Sequence, residues 1–108
     1  MVHDFEKQRQ ETIWIWSDIA NRNPNLPAKI NLDVQFLPVS GASDKDSFKA
    51  NLEEVGFSVK FYEDGETVEA SVSSIDASVD AVWLYEERAT KLALSYGFKP
   101  DGWGFFTN

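Results

Sequence analysis

The stretch that most constrains how this chain can fold is Asp101-Gly102-Trp103-Gly104-Phe105-Phe106, where two glycines alternate with Trp103 and Phe105. A strand with that pattern has large aromatics on one face and bare backbone on the other, so one side needs burial and the other can be approached closely. Upstream, Val82, Tyr85, Ala89, Leu92, Ala93 and Tyr96 recur at three-and-four spacing. That spacing predicts a long helix with Glu86, Glu87, Arg88 and Lys91 mostly on its solvated side. Gly97 falls where a residue without a Cβ ends a helix, Phe98 can fold back on the last turn, and Pro100 cannot extend it. The terminal segment then has two uses open to it: an edge strand whose Trp103 fills the core, or a docking surface on its glycine face.

The 108 residues, 43% of them apolar and 14% aromatic, suffice for one domain with one core, spanning residues 1–108. Cysteine is absent, which excludes disulfides and thiolate metal sites. No apolar run approaches the roughly 18 residues of a membrane span, and Met1 to Glu6 lack the basic and apolar regions of a secretory signal, so a soluble cytoplasmic protein without a membrane role is expected. The net charge of −8, with ten Lys and Arg scattered along the chain, argues against direct nucleic-acid binding. An acidic body instead attracts basic protein segments. From Glu53 to Glu69 the carboxylates Glu53, Glu54, Glu63, Asp64, Glu66 and Glu69 face only Lys60 in sequence, which makes them either a solvated acidic surface or a patch for a basic partner.

Taken in order, Asp4 caps a predicted helix to about Ala20, with Phe5, Ile13, Trp16 and Ala20 along one stripe and Trp14 and Ile15 widening it. Intramolecular packing is expected for both tryptophans. Asn21 to Pro27 reads as a loop. Ile30, Leu32, Val34 and Phe36 alternate with Asn31, Asp33 and Gln35, the clearest strand pattern in the sequence. Ser43 or Asp44 then caps a short helix with Phe48, Leu52 and Val55 as its stripe, closed by Gly56. Phe57, Val59 and Phe61 begin a second strand at once, Asp64-Gly65 supplies a hairpin turn, and Val68, Ala70 and Val72 return opposite Glu69, Ser71 and Ser73. Asp76 or Ser78 caps the long helix. The resulting order predicts a ferredoxin-like α+β fold over about residues 29–106: a βαββαβ antiparallel sheet with two helices on one face, plus the extra N-terminal helix of about residues 4–20. Its core would hold Ile30, Leu32, Val34, Phe36, Phe57, Val59, Phe61, Val68, Val72, Trp103 and Phe105. The other sheet face would show Asn31, Asp33, Gln35, Lys60, Tyr62, Glu69, Ser71 and Ser73.

Chemistry-bearing constellations are sparse. The single histidine, His3, lies near the N-terminus, away from any serine or cysteine nucleophile pattern. Glu53-Glu54 and Glu86-Glu87 are helix neighbours pointing about 100 degrees apart, so solvated faces are expected rather than a metal or acid-base pair. Gly102 and Gly104 fit neither a dinucleotide fingerprint nor a Walker loop. No catalytic residue, metal or cofactor is therefore expected, and a non-enzymatic role follows.

Asp101-Gly102-Trp103-Gly104 after a long helix ending Tyr96-Gly97-Phe98, together with Gln8-Arg9-Gln10-Glu11-Thr12 in a first helix, resembles the RraB family of bacterial regulators of ribonuclease activity. The resemblance covers nearly all the chain in element order, and its specific part is the Asp-Gly-Trp-Gly segment. It implies a ferredoxin-like fold and a non-catalytic protein that binds ribonuclease E, including its non-catalytic region, and lowers its activity on RNA through the enzyme and its degradosome partners. It carries no set of binding residues, so Asp101, Gly102, Trp103 and Gly104 come over as motif positions. Better-known members run on into an Asp/Glu-rich tail after this segment, whereas this sequence closes with Phe106-Thr107-Asn108, so a tail-borne contact with an arginine-rich region is not expected of it. The competing expectations are a small-molecule sensor or a homo-oligomer that self-associates through the strand at Asp101 to Phe106 or the Trp14 and Trp16 helix, and an acidic hydrolase built on two facing carboxylates.

Overall fold

A computed structural model describes residues 2–39, 41 and 43–107. Seven elements follow one another: α1 (Phe5–Arg22), β1 (Lys29–Pro38), α2 (Lys45–Glu54), β2 (Ser58–Phe61), β3 (Val68–Asp76), α3 (Val79–Ser95) and β4 (Phe98–Phe106). Each helix begins on a side chain that accepts a free backbone N–H: Asp4 from Lys7, Asp44 from Ser47 and Ser78 from Ala81. The end of α2 is fixed as firmly. Gly56, with φ +100°, lets its own N–H reach Glu53 O and the Phe57 N–H reach Leu52 O, which satisfies two terminal carbonyls and turns the chain directly into β2. At the β2–β3 turn the Asp64 carboxylate accepts from the N–H groups of Glu66 and Thr67 and from the Thr67 hydroxyl, so the turn is held by its own side chain.

The four strands form one antiparallel sheet in the order β2-β3-β1-β4. β1 is central, and its inward residues Ile30, Leu32, Val34 and Phe36 are fully buried, as the sequence alternation predicts. All three helices cover that face. Phe48 of α2 meets Phe36 and Phe98 with ring centroids 5.3 and 5.0 Å apart, Val82, Ala89 and Ala93 of α3 join the same core, and Trp16 of α1 lies 5.9 Å from Phe105. The opposite face, with Asp33, Gln35, Glu69 and Ser71, is covered by no helix among the described residues. No helix is long and apolar enough to cross a membrane.

Several expectations need correction. α1 does not bury both tryptophans: Trp16 is buried, but Trp14 is 71% exposed and Ile15 is also exposed, because the helix rests on its neighbour along Gln8, Thr12 and Trp16 instead of the stripe through Ile13. Glu86 is not on the solvated face of α3 but only 4% exposed. Asn31, expected on the open face, is buried and accepts from the Ser74 N–H where the β1–β3 register shifts. Val59, Phe61, Val72, Trp103 and Phe105 pack against the core but are only partly buried, since they lie toward the sheet's margins. Phe57 ends the turn before β2 instead of starting that strand, and its ring is still buried.

Candidate functional site

The Asp101–Gly104 segment sits in the middle of β4, at one edge of the sheet, and presents two different sides. Trp103 and Phe105 pair with Val34 and Leu32, so their rings fall on the helix-covered face; Gly102 and Gly104 pair with Gln35 and Asp33 and fall on the open one. A bulge between Gln35 and Phe36 lets Gly102 take φ +122°, a backbone region that a side chain would strain. Nothing lies within 4 Å of where a Cβ would stand on either glycine. The open side is therefore a smooth backbone floor beside polar side chains. Across it, Glu69, Gln35 and Gly102 stand in one row, as do Ser71, Asp33 and Gly104. Glu69 Oε1 accepts from Gln35 Nε2 at 3.0 Å and from the Tyr62 hydroxyl at 2.7 Å, and the Ser71 hydroxyl donates to Asp33 at 2.7 Å. Donation to the Glu69 carboxylate holds the Tyr62 hydroxyl protonated above its usual range.

Behind the same strand, between α1, α3 and β4, lies a cleft of about 390 Å³. Gln8, Glu11, Thr12 and Ile15 of α1, Glu86 of α3, and Pro100, Asp101, Gly102 and Trp103 of β4 form its walls, with no lysine or arginine among them. Glu86 is its buried centre. The Thr12 hydroxyl donates to Oε1 at 2.6 Å and Gln8 Nε2 donates to Oε2 at 2.9 Å; Gln8 Nε2 also donates to the Thr90 hydroxyl at 3.0 Å, and the side-chain Oε1 of Gln8 lies 2.6 Å from His3 Nε2. Burial raises the Glu86 carboxyl above the usual value of 4.5 despite these two hydrogen bonds. Among the described residues the ion pairs are Arg22–Asp18, Lys29–Asp76 and Lys91–Glu87, none of which reaches Glu86. The indole N–H of Trp103 is buried without an acceptor.

The predicted acidic stretch does not gather into one surface. Glu53 and Glu54 are exposed at the C-terminal end of α2, next to the start of β2, while Glu63, Asp64 and Glu66 are exposed in the turn beyond its other end. Lysines flank that turn: Lys45 Nζ lies 3.5 Å from Gly65 O, Lys45 and Lys49 stand over the Phe61 ring, and Lys60 over Tyr62. The turn and the Asp-Gly-Trp-Gly segment are also at opposite edges of the sheet, about 14 Å apart at the spacing of neighbouring strands. Glu69 alone of the six connects to the segment, through Gln35.

Sequence reasoning put Glu86 on the solvated face of α3, named Gln8 and Thr12 only within the resemblance, and did not single out Thr90. A signal was available: Val82, Glu86, Ala89, Thr90 and Ala93 follow helical spacing as well as the Tyr85, Leu92 and Tyr96 stripe does, and on α1 Gln8, Thr12 and Trp16 are spaced by four. Both stripes contain polar residues, which a search for apolar periodicity discounts. Among the described residues, no group of three or more His, Asp or Glu side chains is placed to hold a metal ion. Both oxygens of Glu86 accept hydrogen bonds from neutral donors, and no ion pair among the described residues includes it. Compared with known proteins, the chain matches no family model and no curated protein.

Proposed function

We propose that this chain is a non-catalytic, protein-binding regulator of RNA degradation that resembles the RraB family, and that it docks on a basic region of ribonuclease E in the cytoplasm and lowers the enzyme's activity on RNA. The element order β1-α2-β2-β3-α3-β4 with strand order β2-β3-β1-β4 supports the ferredoxin-like fold this reading requires. One observation carries the function: carboxylates gather on both sides of the segment that bears the resemblance. On the open face Asp33 pairs with Gly104 and Glu69 connects to Gly102 through Gln35, while Glu11, Glu86 and Asp101 line the same cleft as its tryptophan. Acidic side chains collected around an edge strand, on a body of net charge −8, favour a cationic protein segment and repel RNA. The test is an RNA-cleavage assay with purified ribonuclease E and increasing amounts of the chain. Cleavage should slow saturably, and the effect should fade as salt is raised. Unchanged cleavage at low salt, with no complex on gel filtration, counts against the proposal.

A second reading is favoured by Trp14, which is exposed on α1: the domain pairs with itself through this helix. Light scattering that finds a monomer at high concentration removes it.

A further inference from the structure

We propose that the cleft between α1, α3 and β4 is a socket for one arginine side chain of the basic segment that the domain binds, with the guanidinium held by Glu86 and with Trp103 as the wall beside it. This rests on the proposed protein-binding function and names the chemistry by which it recognises its partner. The cleft's contents select the guest. Its acidic residues Glu11, Glu86 and Asp101 disfavour an anion and attract a cation, while Ile15, Pro100 and Trp103 give the stem of a long side chain apolar surface to lie on. The volume of about 390 Å³ is near the lower end of the roughly 300–1,000 Å³ of small-ligand sites, which suits one long side chain rather than a folded surface.

Arginine fits better than lysine for three reasons. Its planar fork offers several donors to a carboxylate whose remaining lone pairs are constrained by Thr12 and Gln8. It is more weakly hydrated than an ammonium, so it enters a buried site with less loss. It also stacks on aromatic rings, and Trp103 lines the cleft. The segment would then approach along the edge of β4, past Glu11 at the rim.

The test is titration of the full chain with an arginine-rich peptide, followed by calorimetry, against the same peptide with every arginine replaced by lysine. The native chain should bind the arginine peptide about tenfold more tightly, the discrimination expected of a stacked, bidentate site. Glu86→Gln should abolish that preference and weaken the arginine peptide about tenfold, Trp103→Phe should weaken it several-fold, and Asp46→Asn, one charge removed from α2, should alter it less than about twofold. Should Glu86→Gln fail to fold, Glu11→Gln at the exposed rim serves in its place, with a loss of about threefold expected. Tight, arginine-selective binding that survives Glu86→Gln and Trp103→Phe, or equal binding of both peptides by the native chain, overturns the socket and leaves the protein-binding function standing. A native chain that binds neither peptide and does not bind ribonuclease E overturns both.

Discussion

Glu86 and the tryptophans are where single side chains decide most. A carboxyl whose folded pKa is raised above 4.5 by burial binds its proton more tightly folded than unfolded. Its contribution to stability is therefore fully present below 4.5 and is lost as pH rises through the raised value. Asp44 and Asp64 have the opposite sign: hydrogen bonds from the Ser47 backbone and from the Thr67 side chain hold them below 3.8, so what they contribute is present above 3.8 and lost as pH falls further. Of these three groups' combined effect, the maximum lies near pH 4, with a decline toward neutrality that belongs to Glu86. Glu86→Gln should flatten that decline in chemical denaturation at several pH values; an unchanged slope would show that ionisation of Glu86 carries no cost. The tryptophans separate by burial. Trp16→Ala should cost about 3–5 kcal/mol, Trp103→Ala about 3 kcal/mol and Trp14→Ala within about 0.5 kcal/mol, read from urea midpoints.

Among the elements, the contrast is between those held by apolar pattern and those held by polar contact. β1 was legible because Ile30, Leu32, Val34 and Phe36 alternate without interruption and all four are buried. The glycine stop of α2 was legible too. Gly56→Ala should cost about 1–2 kcal/mol from backbone strain alone, since nothing crowds the position and only its positive φ resists a side chain. α1 was legible as a helix but not in its seating, because two of the three buried residues in its contact stripe are Gln8 and Thr12, whose partners Glu86 and Thr90 are more than seventy residues away in sequence. For the same reason the Asp-Gly-Trp-Gly strand could be placed at an edge while the cleft behind it could not be foreseen. Removing the polar clamp with Thr12→Val leaves Glu86 one donor short in a buried place, and α1 amides should then exchange with deuterium faster than those of β1. Equal protection of the two elements would mean that α1 is held by Trp16 alone.

At the scale of the whole molecule, the sheet separates two acidic regions of different character. The turn beyond β2 has lysines beside it, whereas the cleft behind β4 has none in its walls. The proposed recognition of a basic partner therefore rests on the β4 side, where carboxylates meet a strand edge and a tryptophan. Charge-driven contact of this kind weakens with ionic strength. The most direct check is calorimetric titration of the purified chain into the basic, non-catalytic region of ribonuclease E, at about 50 mM and about 300 mM salt, since those conditions bracket physiological screening. Saturable binding at the lower salt that weakens at least tenfold at the higher is the predicted result; no binding at low salt, or binding of equal strength at both, would contradict it.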